Sequence, residues 1–123
     1  AQIDAGADLL YAERFGVSNV TAVLGRAPEA CDELPDPDCV FIAGGGREVT
    51  RIAEAAFRRL RGGGRLVVNV VSIDHLAELR AAMSDLSRDV PVWMINLARG
   101  TDQLDRFSFD PLKPSFLLAV TKG

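Results

Sequence analysis

The sequence predicts an α/β fold, an open and mostly parallel sheet with helices on both faces. Three observations carry that expectation. Helix-like and strand-like hydrophobic periods alternate along the whole chain. Arg65 to Val71 (RLVVNVV) is apolar on both faces, the pattern of a central strand in a parallel sheet. Glycines follow the strand-like runs, at Gly25 and at Gly44 to Gly46.

Taken in order, Ala7 to Phe15 (ADLLYAERF) reads as a short helix, with Leu10, Tyr11 and Phe15 near one face and Gly16 as its stop. Val20 to Leu24 is a β-branched run and reads as a strand. Pro28 to Leu34 predicts a short helix that begins on proline and ends before Pro35 and Pro37. Cys39 to Ala43 (CVFIA) is a buried strand running into the glycine triplet. Glu48 to Leu60 places Val49, Ile52, Ala53, Ala56, Phe57 and Leu60 at helical spacing, with arginines opposite. Gly62 to Gly64 ends that helix and Arg65 to Val71 follows as a strand; Val67, Val68, Val70, Phe41 and Ile42 are the expected sheet core. Asp74 caps a helix to about Leu86, with Leu76, Leu79, Met83 and Leu86 inward. Val90 to Leu97 and Phe116 to Thr121 are two closing strands, with Trp93 and Phe116 in the core. Between them Ala98 to Ser115 is a polar connection. No helix joins those two strands, so one of them is expected to run antiparallel.

The chain has 123 residues, 48% hydrophobic and 25% charged, which predicts a single soluble domain over 1–123 in the cytoplasm. A formal charge of −3 excludes an overall electrostatic footprint for nucleic acid. The uncharged run Leu66 to Ile73 is eight residues, far short of the roughly 20 that span a bilayer. Asp4 and Asp8 without a basic start predict no signal peptide. Cys31 and Cys39, with His75 elsewhere, have no zinc spacing; no metal is expected, and both thiols are expected free and buried. Twelve of the fourteen basic residues are arginines, which suits recognition of carboxylates or phosphates.

Ligands of open α/β sheets bind beyond the carboxyl ends of the strands. There the sequence places Gly25-Arg26-Ala27-Pro28, Gly44-Gly45-Gly46-Arg47 and Ser72. The glycine triplet is either a tight strand-to-helix turn or an anion site at a helix N-terminus. No Gly-Lys-Ser/Thr follows it, so it is not a Walker loop. Asn69 stands in an apolar strand, where an unpaired amide costs roughly 1–3 kcal/mol, so it is hydrogen-bonded structurally or faces a site. No Ser-His-Asp or Cys-His pattern is present, and no catalytic residue is assigned.

Asp38 to Gly46 (DCVFIAGGG), then a helix, then Leu60 to Asn69 (LRGGGRLVVN), resembles the later half of a class I S-adenosylmethionine-dependent methyltransferase. More narrowly the chain resembles the decarboxylating precorrin-6Y C5,15-methyltransferases of cobalamin biosynthesis (the CbiT family and the C-terminal domain of CobL). The segments that agree, in order, are Arg14 to Val20 (RFGVSNV), Gly25 to Ala30 (GRAPEA), Val40 to Gly45 (VFIAGG) and Arg65 to Ser72 (RLVVNVVS). Asn96 to Gly100 (NLARG) with Leu104-Asp105-Arg106 is similar to the family's closing segment. The resemblance implies a Rossmann-like class I methyltransferase fold and S-adenosylmethionine as cofactor. It implies a reaction in which a methyl group passes to carbon 15 of a reduced tetrapyrrole, a precorrin, while the ring-C acetate loses its carboxyl group as CO₂. On matching positions, Gly25, Arg26 and Ala27 fall beside the adenine, although many relatives have an acid or Thr in place of Arg26. Gly44 and Gly45 fall between cofactor and substrate. Gly46, Arg47, Asn69, Ser72 and Arg99 are substrate candidates, the arginines as bidentate partners of its carboxylates.

Family members carry an earlier strand with a glycine-rich loop and a second strand ending in an acid. Only fourteen residues precede Phe15 here, too few for both, so those strands are expected to be missing from this chain. Asp4 to Asp8 (DAGAD) mimics the loop by letter but reads as a helix start with Asp4 as cap. The expected partners are the tetrapyrrole and further copies of the chain, without nucleic acid or membrane. The alternatives are a non-catalytic remnant serving as an interaction or oligomerisation module and, last, a flavodoxin- or receiver-like binding domain.

Overall fold

The computed structural model describes residues 5–44 and 46–123, with side chains from Leu10 onward. In chain order the elements are α1 (Ala5–Arg14), a 3₁₀ turn (Glu29–Cys31), β1 (Cys39–Ala43) and a second 3₁₀ turn (Gly46–Glu48) leading into α2 (Val49–Arg59). Then come β2 (Arg65–Val70), α3 (Ile73–Ser84), β3 (Val92–Ile95), β4 (Ala98–Gln103), β5 (Arg106–Pro111) and β6 (Ser115–Thr121). The main sheet has the order β1-β2-β6-β3. β1 and β2 pair in parallel, whereas β6 is antiparallel to both β2 and β3. Thus β1, β2 and β3 share one direction and the last strand is reversed between β2 and β3, the antiparallel closing strand that the sequence predicts.

Alternation along the strands decides which face is buried. Ile42 of β1, Leu66, Val68 and Val70 of β2, and Phe116, Leu118 and Val120 of β6 form one core with Val49, Ile52, Ala53 and Phe57 of α2 and Leu79 and Met83 of α3. Both helices lie on that face for a topological reason. The β1-α2-β2 and β2-α3-β3 crossovers step across the sheet in the same direction, and right-handed crossovers with one direction share one face. The expectation of helices on both faces is therefore corrected for the described residues. The second face carries Phe41 and Trp93, 64% and 55% exposed, with Val67 and Leu117 half-buried. Phe41, Val67 and Trp93 are not core residues, and the two-sided burial expected of Arg65 to Val71 is not realised.

Four further expectations change. Val20 to Leu24 forms no strand: no described strand lies beside it to complete its hydrogen bonds, and Val20 and Leu24 are exposed. The helix expected over Pro28 to Leu34 contracts to the 3₁₀ turn. α3 is capped by Ser72, whose Oγ accepts from the His75 amide at 3.4 Å, rather than by Asp74. The connection from Ala98 to Ser115 is a two-stranded hairpin, β4 against β5, turning at Leu104-Asp105 with Leu104 at φ +52°. α1 forms and ends at Gly16 as expected, but Leu10, Tyr11 and Phe15 are exposed. Asp4 lies outside the described residues. Both cysteines are free, Cys31 half-buried and Cys39 exposed rather than buried.

Core and open face differ enough to separate by mutation. Leu118→Ala, at a fully buried position, is expected to lose about 2–5 kcal/mol in urea denaturation. Phe41→Ala, on the open face, is expected to lose less than about 1 kcal/mol. Equal losses would contradict the one-sided core.

Candidate functional site

Strand direction gathers the candidate residues on one edge. The segments after Ala43, Val70 and Ile95 and before Ser115 all leave the sheet at the same end. From β1 to β3 that edge spans three strand spacings, about 14 Å. The loop after β1 occupies one corner, the entry to α3 the middle and the β4–β5 hairpin the far corner.

At the first corner Gly44 and Gly46 have φ of +85° and +52°, left-handed values that a side chain would strain. A Cβ at either would meet nothing within 4 Å, so the backbone there is open to an approaching group. Gly45 lies outside the described residues. Arg47 follows in the 3₁₀ turn, exposed and in no ion pair among the described residues. Asn69 pairs in register with Ala43, immediately before this loop, and lies on the open face. Its Oδ1 accepts a hydrogen bond from Ser115 Oγ, so part of the amide is satisfied within the sheet.

The Gly25-to-Ala30 turn stands beside the same corner. It is closed by Ala30 N donating to Arg26 O at 2.9 Å and Cys31 N to Pro28 O at 3.0 Å. Gly25 is required by packing: a Cβ there would stand 2.6 Å from the Ala30 Cβ. A chain of charges ties the turn to the start of α2. Arg26 reaches Glu48 at 3.3 Å, Arg51 reaches Glu48 at 3.7 Å, and Arg51 pairs with Glu29. The Glu29 carboxyl is held below its ordinary range, first by a backbone hydrogen bond and then by Arg51. Because the folded state depresses this pKa, the carboxylate's contribution is present above the ordinary carboxylate range and is lost as pH falls through the lowered value. Glu29 is solvent-exposed, so the contribution is small.

The structure thus ties Arg26, and with it the Gly25–Ala27 turn, to Glu48 next to Gly46 and Arg47, and sets Asn69 in register with Ala43 before the same loop. Ser72 lies one strand further on, with its hydroxyl engaged as the α3 cap. Arg99 stands apart, on β4 opposite Asp110 and at the far corner. Sequence reasoning missed Glu48, Arg51 and Arg59, which tether the turn; only the i,i+3 spacing of Glu48 and Arg51 hinted at a pair. A cleft of about 590 Å³ along α1 is lined by Leu10, Tyr11, Glu13 and Arg14 and by none of the candidate residues. Among the described residues no cluster of three or more His, Cys, Asp or Glu is placed to hold a metal, and no helix is long and apolar enough to cross a membrane.

An antiparallel last strand set between β2 and β3, with helices over the parallel strands, is the fold of the class I S-adenosylmethionine-dependent methyltransferases, to which the solved neighbours belong. Residues 9–121 match the model of the precorrin methyltransferase domain, and the chain belongs to that family. It is 41% identical over 110 residues to a probable cobalt-precorrin-6B C(15)-methyltransferase (decarboxylating) of Pyrobaculum calidifontis, covering 89% of this chain and 56% of that protein. It is 42% identical over 90 residues to a precorrin-6Y C(5,15)-methyltransferase [decarboxylating] of a Sinorhizobium species, 66% of this chain and 22% of that one. A crystal structure of precorrin-6Y C5,15-methyltransferase from Geobacter metallireducens superimposes with a TM-score of 0.83 at 33% identity, over 95% of this chain and 62% of that one. The chain spans about half or less of the length of these two sequence relatives.

The open backbone at Gly44 and Gly46 leaves room for a ligand to approach, which is compatible with a cofactor of the methyltransferase class. Gly25→Ala is expected to destabilise the chain by roughly 1–3 kcal/mol through the clash with Ala30. Ala30→Gly in the same chain should recover most of that loss in a urea titration; a double variant no better than the single would refute this packing.

Proposed function

We propose that the gene product carrying this chain is a cytoplasmic, S-adenosylmethionine-dependent, decarboxylating precorrin methyltransferase. It methylates carbon 15 of the tetrapyrrole, leaving S-adenosylhomocysteine, and decarboxylates the ring-C acetate side chain, whose carboxyl group leaves as CO₂ and whose methylene takes up a proton and remains as a methyl group. The observation that carries this reading is the strand-end edge, with the open glycine loop and Arg47 at one corner and Arg99 at the other, neither guanidinium in an ion pair among the described residues. An edge about 14 Å wide with a cation at each corner suits a broad, flat substrate bearing several carboxylates. The printed names of the Pyrobaculum and Sinorhizobium relatives support the same activity.

In this reading S-adenosylmethionine, when bound, supplies an electrophilic methyl group. Gly25, Arg26 and Ala27 line its adenine side, and Gly44 and Gly45 lie between cofactor and substrate. Gly46, Arg47, Asn69, Ser72 and Arg99 face the tetrapyrrole. The accepting carbon is electron-rich, so the residues chiefly orient the two reactants and exclude water. A nucleophile or strong base is not needed, in keeping with the absence of any triad in the sequence.

Incubation with S-adenosylmethionine and the precorrin should yield a product that has gained a methyl group and lost CO₂ by mass spectrometry. A gene product that does neither supports the non-catalytic alternative. A charge-assisted bidentate contact contributes roughly 1.5–3 kcal/mol. Arg47→Ala and Arg99→Ala should therefore each raise the Kd for the tetrapyrrole by about tenfold to a hundredfold. Arg58→Ala, in the last turn of α2, and Arg80→Ala, within α3, are exposed and away from the strand-end edge; they remove the same charge and should leave it unchanged. Equal effects at all four sites would reduce the case to bulk electrostatics.

We also propose that the protein works as a homo-oligomer joined through the β4–β5 hairpin. A two-stranded hairpin is marginal alone, yet this one forms no sheet with the rest of the chain and exposes Leu104, Phe107, Phe109 and Leu112. The two phenylalanine rings pack edge to face at 5.3 Å, with Phe107 lying over Gly100. A second copy presenting the same surface would cover them. Light scattering should show an oligomer that the Phe107→Ser, Phe109→Ser double variant reduces to monomer; an unchanged mass would exclude this interface.

A further inference from the structure

Arg59 sits in the last turn of α2, on the flank that faces the 25–36 segment. Its guanidinium donates to Cys31 O and to Leu34 O, and its Nε donates to Asp36 Oδ1 at 3.3 Å. Carbonyls at the end of a short helix lack partners within it, and Arg59 supplies them with a fork whose planar geometry a lysine cannot reproduce. Its side chain is 29% exposed, the least of any arginine in the ion pairs described. The other ties between this segment and α2, Arg26–Glu48 and Arg51–Glu29, join more exposed groups and hold it weakly. No residue of the segment is fully buried: Ala27 is half-buried against the core, and Gly25, Pro28, Ala30 and Cys31 are half-buried. Apart from that one small contact, its placement depends on what grips it from α2.

The geometry points to Arg59 as a positioning residue for the cofactor side of the site. Gripping the segment at residues 31, 34 and 36, it seats the Gly25–Ala27 turn beside the Gly44-to-Arg47 loop without touching either ligand. This inference rests on the proposed methyltransferase reading and deepens it: the turn is the wall that Arg59 holds, and S-adenosylmethionine is what the wall contacts.

Two measurements test it. In the 123-residue chain, Arg59→Ala should speed amide exchange at Ala30, Cys31 and Leu34, whose N–H groups close the turns, while Leu66 to Val70 stay protected. In the gene product carrying this chain, the same variant should raise KM for S-adenosylmethionine roughly tenfold, the scale of one charge-assisted hydrogen bond, with kcat within about twofold of wild type. Arg59→Lys, which keeps the charge without the fork, should recover part of the KM, and Arg58→Ala should behave as wild type. Unchanged exchange at Ala30 to Leu34 overturns the inference, and so does faster exchange with an unchanged KM. If Arg59→Ala unfolds the whole chain, Arg59→Lys decides, and a wild-type KM in that variant overturns the inference. A wild-type protein that binds no S-adenosylhomocysteine in calorimetry refutes the methyltransferase reading itself. That failure is distinct from one in which wild type and Arg59 variants bind equally well.

Discussion

The antiparallel pairing of β6 on β2 is the constraint on which the rest of the molecule depends. Six residues of each strand are in register, from Arg65 opposite Thr121 to Val70 opposite Phe116. Leu66, Val68 and Val70 thereby stand beside Val120, Leu118 and Phe116 on one face and make the centre of the core. Because β6 is reversed and lies between β2 and β3, β3 regains the direction of β1 and β2. That places the end of β3, and the hairpin that follows it, on the same edge as the glycine loop. A parallel β6 would enter from the opposite end and take the hairpin and Arg99 away from the loop.

The helices fall on one side for the same topological reason, and this shapes the candidate site. On the covered face the strands carry only apolar residues. On the open face, in the register of the sheet, stand Phe41, Val67, Asn69, Leu117 and Trp93. Asn69 is tolerated there because it is half-exposed and bonded to Ser115; on the helix-covered face the same amide would need a partner among leucines and valines. The one uncharged polar residue within β2, in register with Ala43 just before the glycine loop, thus sits on the face that can accept it.

Most of the fold was legible because the signals were local. Cys39 to Ala43 is bounded by the turn residues Pro37 and Gly44, and α2 shows a full apolar stripe from Val49 to Leu60, so both are found within a residue or two. The failures arise where structure depends on a neighbour. Val20 to Leu24 has strand composition but no strand to pair with among the described residues, and an isolated extended run is not a strand. The hairpin was hidden for the opposite reason. Its turn, Leu104-Asp105, is not an Asn-Gly or Asp-Gly pair, and Gly100 and Pro111 read as breakers. Gly100 is in fact covered by the Phe107 ring across the ladder. In the candidate site the residue types and strand-end positions were readable, as was the family resemblance. What sequence could not give was contact across 22 to 28 residues, such as Arg26 with Glu48 or Arg59 with Cys31.

Those long-range contacts also give the arginine at position 26 a physical setting. Its guanidinium reaches Glu48 at the start of α2. An acid at 26 would face Glu48 as a like charge and be pushed towards the ligand side of the turn. Arginine is drawn the other way, and the Arg26–Glu48–Arg51–Glu29 chain alternates in sign along its length. On the proposed reading, the side of the turn that meets the adenine would present backbone from Gly25 to Ala27 rather than a charged side chain. Recognition by backbone depends on where the backbone is held, so a turn with no core of its own needs an outside grip. In this fold α2 carries that grip together with the helix stripe that builds the core, and the position of the turn is coupled to the packing of β1 and β2.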